Sequence, residues 1–413
     1  MNLKNTLFVF CTLLFSLEII AAPNKIFLKI ADSDKEFYKE NIGKLAIDIP
    51  LVNIRTRHQF IAPEVGTQDT PYQQAEMETR GQGCLIVFRK CLGIDLKDSI
   101  TFNGQKFKKF DLVSMREDKG YTDTHLGMNI FSYLGMFPLK FDYVELLINN
   151  ANWGLYTIVE TPNSYFKKEL KTPFAGRANG IFYKFKSRFY NEKIAKNPEV
   201  EFVSDLKSLV KIASKNHSHK GGDKLYKMLK WKMDIDGYLT LLGVHNLLQN
   251  GDYSDEIYFY VDPEKYAQGK IYFKVMIWDT DVLFSRPHPT PYNMFWKSRI
   301  NRTLFYSMEN KFDRKLALDK YINKKMAALL KDVLLTKLTS VKLSEMVQVV
   351  RAKISPYLTE NALRASIYDF NPKERNIPYS AQEIINMLSS KEKLLLQRRN
   401  ELLKRTDLIL KAN

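Results

Sequence analysis

Three aspartates lie in two short segments, each of which follows a predicted regular element. Asp252 ends the triplet Asn250-Gly251-Asp252 after a helical pattern, and Asp279 and Asp281 come just after a predicted strand. Side chains at positions i and i+2 of an extended segment face the same way, so the latter pair is suited to hold Mg²⁺ or Ca²⁺. Asp252 is suited to orient or deprotonate an attacking hydroxyl. This combination favours phosphoryl transfer, in which positioning and charge neutralisation supply most of the catalysis.

The Asp-x-Asp pair also has simpler interpretations. Two aspartates after a strand are typical of a turn or of a helix cap. A nuclease-like metal site is a further alternative for a basic chain, but it lacks a His or Lys general base beside the pair.

Predicted elements bring the two acidic segments together. Helical spacing covers residues 224–249, directly before the triplet. Strands are predicted at 257–261 and 271–277, joined by a turn that contains Gly269. A two-stranded unit returns the chain to its starting point, so it places Asp279 near Asp252.

The remaining pattern predicts an α+β chain with an antiparallel, β-rich N-terminal part and a mainly helical C-terminal part. Two β-rich runs, 143–148 and 154–160, are joined by an Asn-rich segment and predict a hairpin, because Asn tolerates the positive φ of tight turns. A helix is predicted at 123–134, and helical sequence dominates from about residue 300. Further strands are predicted at 26–28, 45–49, 84–88 and 181–184.

Four groups of residues follow the order of a known set of motifs. They are Arg80-Gly81 with Phe88-Arg89-Lys90; Leu134-Gly135 and Pro138 with the 143–146 and 154–160 runs; Asn250-Gly251-Asp252 with Tyr258-Phe259-Tyr260; and Ile277-Trp278-Asp279-Thr280-Asp281. In this order the chain resembles the CotH (spore-coat protein H) kinase family over roughly residues 45–408. The last two groups resemble the family's Asn-Trp-Asp…Asn-Tyr-Tyr-Leu-Tyr and Pro-Trp-Asp-Leu-Asp motifs.

The resemblance implies a divergent protein-kinase-like fold and assigns roles to the three acids. Asp279, assisted by Asp281, would hold the Mg²⁺ or Mn²⁺ that bridges the phosphates of ATP. Asp252 would lie nearest the transferred phosphoryl group, as the base or as a second ligand.

The same resemblance implies a set of charges around the nucleotide. Lys90 and Arg80 would neutralise phosphates, and Glu145 or Glu160 would fix one of these cations in an ion pair. The alternative for Arg80 and Lys90 is an ordinary surface charge, and Glu145 has the alternative of facing solvent on the hairpin.

The chain departs from the family pattern at several positions, two of which border the expected nucleotide site. Gln82-Gly83 replaces Asn-Ser in the first motif, and Asp123-Thr124 stands where the family has Arg-Asn. Glu256 replaces an Asn, and residues 282–285 lack the Gly that often follows the acidic pair. These changes motivate an alternative in which the chain is a catalytically inactive, kinase-like binding protein of the envelope or surface.

The N-terminus predicts export. Lys4, an apolar run over 7–17 and Ala21-Ala22 are typical of a cleavable signal peptide, and no later apolar run is long enough to span a bilayer. We therefore divide the chain into a signal peptide (1–22), a β-rich N-lobe-like region (23–165) and a helical C-lobe-like region with the acidic site (166–413). The expected location is periplasmic or secreted.

Charge and cysteine content are consistent with this location. The formal net charge is +17, which favours anionic partners such as an acidic polymer, although a basic solubilising surface explains it equally well. Cys84 and Cys91 remain after removal of residues 1–22, and in an exported chain they predict one disulfide or, alternatively, two buried thiols. The leading hypothesis is an exported kinase that transfers phosphate from a nucleotide to Ser or Thr of a surface or secreted protein.

Overall fold

The computed structural model of the chain describes residues 25–29 and 59–412 with gaps. The gaps are 61, 68–69, 82–83, 85–88, 103, 116, 119, 149–150, 167–169, 172–173, 178–202, 217–221, 254–255, 288–302, 308–310, 361 and 364–379. The predicted signal peptide and the strands predicted at 45–49 and 181–184 therefore lie outside the described residues.

Seven strands of the N-terminal part form a closed barrel in the order β1-β2-β3-β4-β5-β7-β6. Neighbouring strands are antiparallel except for β1 and β6, which are parallel and close the barrel. The strands are β1 Lys25–Lys29, β2 Glu64–Thr67, β3 Gln73–Arg80, β4 Cys91–Phe102, β5 Gln105–Val113, β6 Phe141–Ile148 and β7 Ala151–Glu160.

The interior of the barrel follows from strand alternation, since successive side chains point to opposite faces. Val144 and Leu146 of β6 and Tyr156 and Ile158 of β7 all lie in one buried apolar cluster inside the barrel. Residues between them face outward. The predicted hairpin is confirmed, with Glu145 of β6 opposite Leu155 of β7.

One helix lies between β5 and β6 in the chain. Helix α1 spans Asp123–Tyr133, as predicted. Its first N–H groups are satisfied by Asp118, whose two carboxylate oxygens accept hydrogen bonds from the backbone N–H groups of Thr122 (3.0 Å) and Thr124 (2.9 Å). A carboxylate at this position satisfies orphan donors and matches the positive end of the helix dipole.

The C-terminal part is built from helices around a three-stranded antiparallel sheet ordered β10-β9-β8. The elements, in chain order, are α2 Pro162–Ser164, β8 Phe174–Arg177, α3 Val203–Asn216, α4 Lys224–Lys230, α5 Ile235–Leu248, β9 Ile257–Val261, α6 Pro263–Ala267, β10 Phe273–Ile277, α7 Lys311–Leu316, α8 Lys320–Thr336, α9 Ser340–Ile354 and α10 Ala381–Lys411.

A second, larger apolar core joins these helices to α1. Leu126 and Phe131 of α1, Leu242 of α5, Met276 of β10 and Leu395 of α10 all belong to this buried cluster. The last helix starts with a capping box, in which Ser380 and Glu383 satisfy each other's backbone N–H groups, and it packs against α5, α8 and α9.

One local prediction is wrong and another is tested at one residue. The helical pattern at 224–249 forms two helices, because the chain turns at residues 231–234 and Asp234 caps the second one by accepting from the N–H of Gly237 (2.9 Å). Of the strand predicted at 84–88, only Cys84 is described, and it lies in a helical turn; residues 85–88 lie outside the described residues. The mixed α and β architecture, with a curled antiparallel sheet first and helices after it, is confirmed.

Candidate functional site

The two acidic segments lie side by side. The N–H of Gly251 donates to the carbonyl oxygen of Val282 (3.1 Å), and the N–H of Ser285 donates to the carbonyl oxygen of Gln249 (3.0 Å). The amide of Asn250 also donates to the carbonyl oxygen of Asp279 (3.5 Å). The loop after α5 is thus hydrogen-bonded to the loop after β10, as the predicted two-stranded unit requires.

Gly251 allows this close approach. A Cβ atom at this position would lie 2.6 Å from the carbonyl oxygen of Arg286 and would also meet the side chain of Ser285. Backbone atoms cannot yield as a flexible side chain can, so a larger residue would separate the two loops. The absence of a side chain at Gly251 therefore allows the two acidic loops to pack closely.

The charges of the predicted acids converge on Asp281. Its pKa is raised well above the ordinary value, first by burial and then by the negative charges of Asp279, Asp118, Asp252 and Glu117. Like charges raise the pKa of a carboxyl when they are close enough to disfavour its ionisation. The three acids predicted from the sequence hence share one electrostatic site.

Glu117 and Asp118 belong to this site and were missed by the sequence analysis. They lie between β5 and α1, far in the chain from Asp281. Asp118 is completely buried, whereas Glu117 is exposed. The helix start predicted at Asp123 was the available signal, since an acid upstream of a helix is a candidate cap.

The acidic loop is held against α1 by Thr280. Its hydroxyl donates to the carbonyl oxygen of Thr124 (2.9 Å), and its side chain packs where Gly127 has none. A Cβ atom on Gly127 would lie 2.5 Å from Cβ of Thr280. These contacts fix the residue between Asp279 and Asp281 on the helix that Asp118 caps.

Oxygen donors of this kind suit a hard divalent cation. Among the described residues, no group of three or more His, Cys, Asp or Glu side chains is placed to hold one metal ion. Mg²⁺ needs fewer protein ligands than that, since it is usually bound by one or two carboxylates together with waters and substrate phosphates. Asp279 and Asp281, both half-buried, fit that requirement chemically.

Arg80 lies at the end of β3 in an ion pair with Asp111 of β5. The pair crosses β4 at Gly93, where a Cβ atom would lie 3.1 Å from Cδ of Arg80. Burial lowers the pKa of Arg80, but the charge of Asp111 and the phenol of Tyr258 in β9 raise it, and the net direction is upward. Arg80 is therefore charged, and it lies within electrostatic reach of Tyr258 in the three-stranded sheet.

Lys90 is buried directly before β4, in a segment that hydrogen bonds and a disulfide fix in place. Its neighbour Arg89 is also buried and donates to the carbonyl oxygens of Trp153 (2.9 Å) and Leu155 in β7. Cys84 and Cys91 form a disulfide across the same segment, which confirms the first of the two cysteine alternatives.

The two glutamates of the hairpin lie apart. Glu145 is buried on the outward side of β6 and accepts a hydrogen bond from the amide of Asn152 (2.6 Å). Glu160 lies at the end of β7 and pairs with Lys140 (3.4 Å). Five residues of β7, about 16 Å of extended chain, separate Glu160 from the position opposite Glu145.

A match to a known protein family assigns the chain. The sequence model of the family described as CotH kinase protein matches residues 77–395, which is most of the chain. The chain belongs to the CotH kinase family. No curated protein matches it.

The stretch matched by the CotH family begins in β3 and ends in α10. It contains the three predicted acids and the segment of Glu117 and Asp118, together with every element that packs around them from β4 to α9. Within the described residues, no helix is long and apolar enough to cross a membrane.

Proposed function

We propose that this CotH-family chain is an exported atypical kinase with a divergent kinase-like fold, which transfers phosphate from a nucleotide to Ser or Thr of a surface or secreted protein. The observation that carries the proposal is the hydrogen-bonded contact between the loop of Asp252 and the loop of Asp279 and Asp281, which gathers carboxylates around Asp281, where burial and the neighbouring charges raise the pKa. Such a concentration of negative charge costs folding free energy unless a cation offsets it. Family membership supports the choice of phosphoryl transfer as the reaction.

Asp279 and Asp281 are the proposed ligands of Mg²⁺ or Mn²⁺ in the complex with ATP. When bound there, a divalent ion would supply positive charge that offsets the charge of the phosphate oxygens. The chain's own part is to hold both carboxylates on the loop that Thr280 fixes to α1. A rigid loop reduces the reorganisation needed when the nucleotide binds.

Asp252 is the proposed base. Its N–H donates to the side-chain oxygen of Asn250 (3.1 Å), which orients the loop, and its carboxylate is half-buried within electrostatic reach of Asp281. It accepts the proton of the attacking hydroxyl as the new bond to phosphorus forms and the bond to the departing ADP oxygen breaks.

Arg80 and Lys90 are the proposed cations of the phosphate site, and Glu145 and Glu160 are proposed to fix them. The pair formed by Arg80 and Asp111 keeps the guanidinium charged at the edge of the barrel. Lys90 lies in the segment closed by the Cys84–Cys91 disulfide. Support is weakest for Glu160, because it pairs with Lys140 and lies far along β7 from the position opposite Glu145.

Export to the periplasm or the medium is part of the proposal. The signal-peptide pattern of residues 1–22 supports it from the sequence. The disulfide between Cys84 and Cys91 supports it independently, because disulfides persist in oxidising compartments outside the cytoplasm.

Labelling with radioactive ATP tests the reaction. Purified protein is incubated with γ-labelled ATP, Mg²⁺ or Mn²⁺ and a Ser/Thr-containing acceptor such as casein. We expect labelling by the wild type and by Asp332→Ala, which removes an exposed carboxylate of α8, and at least about a hundredfold less by Asp279→Ala and Asp252→Ala. Equal labelling by all four proteins, or labelling by none with either metal, would refute the kinase.

The alternative of an inactive, kinase-like binding protein is favoured by one observation. Asp123-Thr124 stands where the family has Arg-Asn, which removes a cation from the phosphate side of the proposed site. Thermal melts separate the two functions, because a ligand that binds the folded state raises Tm. A rise in Tm with ATP and Mg²⁺ that Asp279→Ala abolishes supports the kinase, whereas an unchanged Tm together with absent labelling supports the binding protein.

A further inference from the structure

A row of exposed lysines follows the outer face of two neighbouring helices. On α3, Lys207, Lys211 and Lys215 are exposed at a spacing of four residues, while Leu206, Leu209 and Ala213 on the opposite face are buried in the larger core. Residues four apart lie on one side of a helix. The lysines therefore form a continuous ridge along α3. The further members of this ridge on α4 and just after it are Lys224, Lys227, Lys230 and Lys232, all of them exposed.

The two helices present these lysines on a common surface. Helices α3 and α4 pack against each other, and α4 buries Leu225 and Leu229 in the same core as α3. Because both helices bury their inner faces in one core, their outer faces point away from it together. We name residues 204–215 and 224–232 on this outer side the basic ridge.

The charge of the basic ridge is strongly one-sided. Between 203 and 232, the described residues include seven lysines and two aspartates, Asp205 and Asp223. Asp223 pairs with Lys227 (2.8 Å), and the side chain of Lys227 is still 69% exposed. A net positive surface of this kind attracts anionic partners over distances of about 10 Å at moderate salt.

Trp231 projects from the end of the ridge. Its side chain is 82% exposed, the largest value for any large apolar side chain among the described residues, and it lies between Lys230 and Lys232. An indole exposed to this extent costs free energy in water. Tryptophan is favoured at the boundary between water and lipid, where its ring enters the head-group region and its N–H remains hydrated.

We propose that the basic ridge binds the surface of an anionic lipid bilayer, with Trp231 inserted between head groups. Two features favour lipid over an acidic protein or polymer. A large indole is exposed among the cations. The described cations of the ridge are all lysines, and lysine acts as a point charge instead of the bidentate fork with which arginine binds a fixed carboxylate or phosphate. A fluid layer of head groups requires no fixed geometry, so lysines suffice.

Vesicle sedimentation tests this surface, and it does not depend on catalysis. The probes are vesicles of phosphatidylcholine with and without phosphatidylglycerol, at low and high salt. We expect the full chain to bind the anionic vesicles at low salt and to bind neutral vesicles far more weakly. Lys207→Glu/Lys211→Glu should weaken binding by about 25-fold or more, since each lysine near such a surface contributes about fivefold (about 1 kcal/mol).

Two control variants test whether binding depends on the basic ridge itself. One matches the change in net charge, and the other matches the loss of an exposed apolar side chain. Lys106→Glu/Lys108→Glu changes the net charge equally but alters exposed lysines of β5, so binding should stay within about threefold of wild type. Trp231→Ala should weaken binding by about tenfold, whereas Leu408→Ala, at a 68% exposed residue of α10, should not. A blue shift of tryptophan emission on binding that Trp231→Phe removes would place the indole in the lipid.

Three results would overturn the proposal. They are equal loss of binding in the two charge-reversal variants, equal binding to neutral and anionic vesicles, and binding to polyglutamate without binding to anionic vesicles. The last result would assign the ridge to an acidic polypeptide. Far-UV circular dichroism of each variant checks that these exposed substitutions leave the fold intact.

Discussion

The ammonium group of Lys391 lies 2.6 Å from a carboxylate oxygen of Asp123, although the two residues are far apart in the chain. The same ammonium donates to the hydroxyl of Thr122 (3.0 Å) and lies 4.0 Å from Asp118. Helix α10 thereby contributes a cation to the start of α1, next to the carboxylates around Asp281. Burial and the charge of Asp118 raise the pKa of Asp123 to about 7, and Lys391 acts in the opposite direction.

Replacing Lys391 should therefore destabilise the protein. Lys391→Met leaves two buried acids without their cation, and removal of one partner of a buried pair typically costs about 3 kcal/mol. We expect a lower Tm and a smaller free energy of unfolding by urea at pH 8. Lys393→Met changes an exposed lysine two residues away and should behave as wild type. Equal stability of both variants would show that Lys391 contributes nothing to the folded state.

The ion pair of Arg80 and Asp111 gives a second prediction. Burial raises the pKa of Asp111 and Arg80 counteracts it, so Arg80→Met leaves an uncompensated buried carboxylate at a cost of about 3 kcal/mol. Arg80→Met/Asp111→Leu removes both charges and should recover most of that loss, since an apolar pair of similar volume replaces a buried ion pair at little cost. An Arg80→Met variant with the Tm of wild type would show that the ion pair does not stabilise the folded state.

The double variant also examines the proposed phosphate contact. If Arg80 touches the nucleotide, the KM for ATP should stay raised by tenfold or more after stability has recovered. If Arg80 acts only as the partner of Asp111, the KM should return to the wild-type value together with Tm.

Most of the correct predictions came from local sequence patterns. The hairpin of β6 and β7, the start of α1 and the two strands around the turn at Gly269 each depend on neighbours within a few residues. The proximity of Asp252 to Asp279 followed from the return of a short two-stranded unit. The family resemblance is confirmed by the match over 77–395.

Sequence patterns did not identify partners that lie far apart in the chain. Asp118 and Lys391 come from distant parts of the chain, and no spacing rule links them. The pairing of Arg80 with Asp111 depends on which strands are neighbours in the barrel and on the missing side chain of Gly93. The break at 231–234 was missed because apolar spacing continues across it, while the cap by Asp234 starts a new helix.

Gly127 provides a prediction in which two effects oppose each other. Helix propensity favours Gly127→Ala by about 1 kcal/mol, because alanine loses less backbone entropy. The new Cβ atom would lie 2.5 Å from Cβ of Thr280, and overpacking of this kind costs about 1–3 kcal/mol. We expect the cost of the clash to exceed the gain in helix propensity. The variant should then have a lower Tm and a displaced loop of Asp279 and Asp281.

Gly127→Ala/Thr280→Gly tests the cause of that loss. Removing the opposing side chain should recover part of the stability lost in the single variant, although the hydrogen bond to Thr124 is gone. A single variant more stable than wild type would show that the loop yields without cost.

Asp313 in α7 makes stability depend on pH. It is completely buried, burial raises its pKa to about 7, and the hydroxyl of Tyr238 donates to it (2.6 Å). In the unfolded chain its pKa is about 3.9, so between these values the folded state binds more protons than the unfolded state. Stability from this group is therefore greatest at acid pH and falls as pH rises toward 7, by about 3 kcal/mol between pH 5 and pH 8.

Asp313→Asn keeps a neutral side chain of the same shape at every pH. Relative to wild type, its Tm should differ little at pH 5 and should be higher at pH 8, since only the wild type must then bury a charge. Asp332→Asn, at an exposed residue of α8, should show no such trend. The measurement is Tm against pH for the three proteins, and a difference between Asp313→Asn and wild type that stays constant from pH 5 to pH 8 would contradict the raised pKa.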